Sequence, residues 1–130
     1  MIIIGHPWVD FEPFYLVKKI EDISCTPANS RVIFSFNEAS LPLCRHCAQN
    51  GVSFALICDT KEDVLFAQAL GCDFIVCDKN VAIDAQKFAD GYLFDAKILL
   101  YTGAQSDMEW VADHEIDGIL LEEGIDYGSC

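Results

Sequence analysis

An α/β fold with a parallel sheet is predicted for this chain from three observations. Short β-branched runs alternate with amphipathic stretches of helical length, capping residues or glycines fall between them, and most of the runs are apolar at every position. A strand that is apolar on both sides is covered on both sides, as happens when right-handed βαβ crossovers lay helices against a parallel sheet. At 130 residues with 52% hydrophobic side chains, the chain is sized for one domain, residues 1–130.

The first predicted strand runs from Ile2 to Ile4 and is ended by Gly5-His6-Pro7. Residues 7–29 carry no clear period. There, Phe14 to Ile20 fits a helix, and Phe14-Tyr15-Leu16-Val17 fits an extra strand; Trp8, Phe11, Phe14 and Tyr15 read as a core lid or subunit contact. Arg31 to Phe36 is the next strand, followed by a helix from Leu41 to Asn50 that Gly51 stops. After the strand Phe54 to Ile57, Thr60-Lys61-Glu62-Asp63 resembles a capping box, and Gly71 is the left-handed stop of the helix it opens. The strand Phe74 to Val76 precedes an apolar stripe of Val81, Ala85, Phe88 and Ala89, with Gly91 as its end. Lys97 to Tyr101 is followed by Ser106 and Glu109 in cap spacing ahead of Met108, Trp110 and Val111, and Gly118 to Leu121 closes the series. Ile57-Cys58-Asp59-Thr60 and Val76-Cys77-Asp78-Lys79 form a faint internal repeat at two successive strand-to-helix turns. Five or six strands follow, arranged either as an open flavodoxin-like sheet or as a partial (β/α) barrel, whose uncovered edges would call for a dimer.

Ile98-Leu99-Leu100-Tyr101-Thr102, the helix containing Trp110, and Ile116-Asp117-Gly118-Ile119-Leu120 resemble the last βα unit of the glycerophosphodiester phosphodiesterase-type (β/α) barrels, over residues 97–125. That family opens with a strand followed by His-Arg-Gly and soon a Glu-Asn pair, whereas Ile4-Gly5-His6-Pro7-Trp8 keeps only the histidine. The resemblance therefore carries His6 over and leaves the family's phosphodiesterase chemistry behind.

Twenty-one acidic against eight basic residues give a formal charge of −13, which repels phosphate backbones and anionic bilayers, so neither nucleic acid nor membrane is an expected partner. The opening residues lack the basic segment of a signal peptide, and no apolar run reaches the roughly 20 residues of a membrane-spanning helix. A soluble, cytoplasmic protein is expected. The cysteines, Cys25, Cys44, Cys47, Cys58, Cys72, Cys77 and Cys130, are odd in number and several sit inside apolar patterns, which reads as reduced thiols. Cys44-Arg45-His46-Cys47 has no second pair to complete a zinc site; a thiol sensor is its functional reading and buried thiols its structural one.

In a parallel sheet the strands all finish along one rim, where ligands bind. His6 is the candidate general acid or base there, and Glu38, Asp59, Asp78, Lys79, Thr102 and Glu122 are the candidate ligand-binding residues. Asp59, Thr60 and Asp78 equally suit helix N-caps, and His46 and His114 read as surface histidines. Glycine-rich nucleotide fingerprints and the Gly-x-Ser-x-Gly elbow are absent from the sequence, so no cofactor is evident. Two functions are expected. The first is a self-associating, homodimeric module that binds a protein or small molecule at the rim without catalysis of its own. The alternative is a divalent-metal-dependent phosphoester hydrolase, with Mg²⁺ held by the rim carboxylates and His6 as acid or base.

Overall fold

The computed structural model describes residues 1–128. Among them, the apolar runs form eight strands: β1 (Ile2–Ile4), β2 (Phe14–Leu16), β3 (Arg31–Ser35), β4 (Phe54–Ile57), β5 (Phe74–Cys77), β6 (Lys97–Thr102), β7 (Gly118–Leu121) and β8 (Ile125–Asp126). Four α-helices follow four of these strands in turn: α1 (Leu41–Gln49) after β3, α2 (Lys61–Ala69) after β4, α3 (Lys79–Tyr92) after β5 and α4 (Asp107–Asp113) after β6. Every ladder is parallel, in the order β1-β7-β6-β5-β4-β3-β2-β8.

That order forces the sheet to curl. β7 and β8 stand six places apart, which in a flat sheet is roughly 29 Å. Only residues 122–124 join them, and four Cα steps reach at most about 15 Å. The sheet is accordingly a half-barrel whose margins are drawn together. Gly5, at φ +108, sits so close to Gly124 that a Cβ on it would lie 2.6 Å from the Gly124 amide nitrogen. An open flavodoxin-like sheet is thereby ruled out. The two uncovered edges that argued for a dimer are brought together as well.

Period-two alternation sorts the apolar runs into two cores. One residue from each strand, Ile4, Phe14, Ile33, Ala55, Val76, Leu99, Leu120 and Ile125, points inward and packs into a single buried layer. Their neighbours, among them Val32, Phe34, Leu56, Ile75, Ile98, Leu100 and Ile119, point outward against Cys44, Val64, Ala85 and Val111 of the helices. Both faces are buried, which is why the runs are apolar throughout. At the end where the strands begin, Phe14 and Phe74 meet edge-on at 5.2 Å, and the Arg31 guanidinium lies over both rings, 4.6 and 5.1 Å from their centres. The same guanidinium donates to the Glu12 carbonyl. Burial lowers its pKa, against the opposing pull of Glu12 and Asp73.

Several local expectations hold. Thr60 Oγ1 accepts from the Asp63 amide at 3.1 Å, and Gly51 and Gly71 take left-handed φ values of +66 and +87 after α1 and α2. Others are corrected. The sheet has eight strands instead of five or six: Phe14–Leu16 resolves as a strand because Phe14 is needed in the inner layer, and Ile125–Asp126 adds a short one on β2. Gly91 does not end α3; the helix runs through it to Tyr92, and Leu93 takes the left-handed turn at φ 55. Ser106 makes no side-chain cap on α4, since its backbone is already helical. Among the described residues no helix is long and apolar enough to cross a membrane.

Candidate functional site

Because every strand runs the same way, the residues that follow them share one rim, as expected. They do not share one pocket. All but Glu38 divide among a cup over the middle of the half-barrel, a cleft beside the β1–β7 margin, and an ion-paired tie between helices.

The cup follows from the inner layer. Two residues beyond Phe14, Ala55 and Leu99, the same inward direction recurs at Leu16, Ile57 and Tyr101, which pack on that layer without closing over it. With Val76 and Ile125 as floor and Tyr127 as a side wall they bound a cavity of about 360 Å³, and Asp59 and Asp78 stand at its lip. The Tyr101 and Tyr127 hydroxyls are 3.1 Å apart. The hydrogen bond to Tyr127, partial burial and the Glu122 carboxylate together push the Tyr101 phenol up to about 12. Burial, and then nearby Asp78 and Asp59, push the Cys77 thiol up to about 12, and burial with the neighbouring thiols raises Cys58 further. Asp78 also accepts from the Asn80 amide at 2.9 Å, so one of its oxygens caps α3 as the capping alternative expected.

The second cleft, about 310 Å³, holds His6, Gln105, Glu122 and Glu123 around the backbone of Gly5 and Gly103. The Trp8 amide donates to His6 Nδ1 at 3.1 Å, which leaves the ring proton on Nε2, 2.9 Å from Gln105 Oε1. Both ring nitrogens are thus engaged within the chain, and the edge of Trp8 packs on the ring at 5.2 Å. Glu122 lies against Gly103, where a Cβ would come within 2.9 Å of its Oε1.

Lys79 and Thr102 belong to neither cavity. Lys79 Nζ is 2.8 Å from Asp107 and 5.2 Å from the centre of the Trp110 ring, while Thr102 Oγ1 donates to the other Asp107 oxygen at 2.6 Å. These two hydrogen bonds, that from Lys79 first, hold the Asp107 carboxyl below its ordinary range. Glu38 opens the short 3-10 turn after β3 and is exposed, lining neither cavity. Among the described residues no three His, Cys, Asp or Glu side chains converge to hold a metal ion.

Cys44 and Cys47 are free and fully buried on α1. Burial raises both thiols, Cys47 to about 11 with Cys44 adding to it, so the pair lacks the stabilised thiolate that a sensor needs. Cys58, Cys72 and Cys77 are likewise free and buried. Cys130 lies outside the described residues.

The sequence reading missed Tyr101, Tyr127, Leu16 and Ile125, four of the ten residues that line the cup. Tyr101 carried one usable signal, a phenol on an otherwise aliphatic strand next to its polar end. No known protein family matches this chain, and no curated protein is similar to it in sequence.

Proposed function

We propose that the chain is a binding module that takes a small ligand into the cup at the strand ends and carries out no chemistry of its own upon it. The observation that supports this reading best is the cup itself: about 360 Å³, within the roughly 300–1,000 Å³ of small-molecule sites, apolar below and polar only at one wall and the lip. Catalysis needs a nucleophile or base poised near neutral pH. Here the Cys58 and Cys77 thiols and the Tyr101 phenol are all held in their protonated forms, and the two nitrogens of His6 are taken up by Trp8 and Gln105. The metal-dependent phosphoester hydrolase has less support, because Glu38 and Glu122 stand apart from the Asp59 and Asp78 pair at the cup, and among the described residues no three such side chains converge.

Self-association belongs to the same reading. Its support is the exposure of Trp8 at 88% and Leu93 at 84%, large apolar side chains that a chain of net charge −13 has reason to cover with uncharged contacts.

The test of binding is amide NMR with a neutral probe, 2-phenylethanol. Saturable shifts centred on Leu16, Ile57, Val76, Tyr101 and Ile125 are expected, and they should vanish in Ile57→Trp, which fills the cavity; a melting temperature within a few degrees of the parent checks that this variant folds. Shifts that scatter over the surface, or that survive the filling substitution, would remove the cup as the binding site.

A further inference from the structure

We infer that the cup selects a small apolar molecule bearing a positively charged amine over its neutral and negatively charged isosteres. This rests on the binding reading above and adds the charge of the ligand. Among the described residues that line the cup, Asp59 and Asp78 are the charged ones, and no Lys, Arg or His stands in its wall. The lysines nearest in sequence to these acids are both directed elsewhere. Lys79, next to Asp78, is paired with Asp107 at 2.8 Å and lies over Trp110; Lys61, two residues from Asp59, faces Asp84 at 3.8 Å. The lip thus carries two carboxylates with no cation paired to them among the described residues, in a chain whose formal charge is −13, and Lys18 belongs to the adjoining cavity that shares Leu16 and Tyr127.

The interior suits the rest of such a ligand. Leu16, Ile57, Val76 and Ile125 offer apolar surface for a ring or short alkyl body, and the Tyr101 and Tyr127 hydroxyls, 3.1 Å apart, keep oxygen lone pairs free to accept from an ammonium. Their rings add faces that attract a cation. Asp78 commits one oxygen to the Asn80 amide and has a second to offer. A carboxylate or phosphate of equal size would meet two like charges at the entrance and no donor of positive charge inside.

The experiment compares 2-phenylethylamine, 2-phenylethanol and phenylacetate, which share a body and carry positive, no and negative charge. NMR titrations at low ionic strength are expected to give the amine about tenfold tighter binding than the alcohol, and phenylacetate no measurable binding. In the double variant Asp59→Asn, Asp78→Asn the amine should fall to the affinity that the alcohol shows for the same variant. Asparagine caps a helix as well as aspartate does, so α3 keeps its start, and the melting temperature verifies this. Equal binding of amine and alcohol, or binding of phenylacetate as tight as either, would overturn the inference while leaving the cup a binding site. An amine preference that persists in the double variant would overturn it too, by placing the selecting charge elsewhere. Failure of all three compounds to bind would overturn both readings.

Discussion

At the end of the half-barrel where the strands begin, Phe14 and Phe74 meet edge-on beneath Arg31; at the end where they finish, Leu16, Ile57 and Tyr101 surround a cavity of about 360 Å³. The two layers occupy equivalent inward positions, and Phe14 and Leu16 stand two residues apart on the same strand. They differ in what the chain places over them. The starting end carries two phenyl rings and a half-buried cation that fill the interior, whereas the finishing end carries aliphatic side chains and a phenol pair that line it. Within this inner stack, open space lies at the finishing end, where the strand-to-helix turns supply polar side chains. On the proposed reading, stability and binding would fall at opposite ends of one stack of side chains.

The largest expected effect tests that division directly. Phe14 is wholly buried in the inner layer, and Phe14→Ala should destabilise the fold by about 3–5 kcal/mol, since the removed ring leaves a void that Arg31 and Phe74 cannot fill. Ile57→Ala at the cup borders space that is already open and should lose about 1–2 kcal/mol. Urea midpoints of the two variants, converted with a common m-value, give the comparison. Equal losses would mean that the finishing end is as tightly packed as the starting end.

A smaller contrast comes from two glycines at opposite ends. A Cβ on Gly118, at the start of β7, would stand 2.5 Å from the Ile2 carbonyl oxygen and 2.6 Å from the Ile2 Cβ, a collision with the backbone of β1 that no rotamer relieves. Gly118→Ala is expected to cost about 1–3 kcal/mol. A Cβ on Gly103, at the finishing end, meets only the exposed Glu122 carboxylate at 2.9 Å, which swings away, so Gly103→Ala should stay within about 0.5 kcal/mol of the parent. Thermal unfolding of the pair separates a wall that cannot yield from one that can.

The helix-flanked strands were easier to read from sequence than the margin of the sheet formed by β2 and β8. Strands of four or more apolar residues, such as Phe54–Ile57 and Gly118–Leu121, stand out against their punctuation, and so do the Thr60 cap and the glycines after α1 and α2. β8 is two residues long and carries no period at all, and β2 follows Pro13 with no α-helix behind it. The curl itself depends on β8 joining β2 and not β7's own margin, a pairing between residues more than a hundred apart. The cup was hidden for a related reason. When both faces of a strand are apolar, alternation no longer says which residues point inward, so Tyr101 could not be told from Leu100. The rim could be read because strand ends are local, but its partition could not: His6 meets Gln105 across 99 positions, and Lys79 meets Asp107 on a different helix.

The smallest effect expected concerns the hydroxyl pair at the cup wall. Tyr127→Phe removes one neutral hydrogen bond at a partly exposed site and should cost about 0.5–1 kcal/mol at neutral pH. Its pH dependence has a definite sign. The Tyr101 phenol titrates at about 12 in the fold against an ordinary value of 10.0, a pKa raised by folding, so the fold binds that proton more tightly than the unfolded chain does. The contribution is then complete below pH 10 and declines as the pH rises toward about 12. The stability gap between parent and Tyr127→Phe should accordingly be constant from about pH 7 to about pH 9 and narrow beyond about pH 10, while the Tyr101 ring resonances of the variant titrate closer to the ordinary value. A gap that widens with alkali would show that ionised Tyr101 accepts from Tyr127 more strongly than the neutral pair holds together. The cup would then stabilise an anion at its wall, the opposite of the charge preference that Asp59 and Asp78 set at its lip.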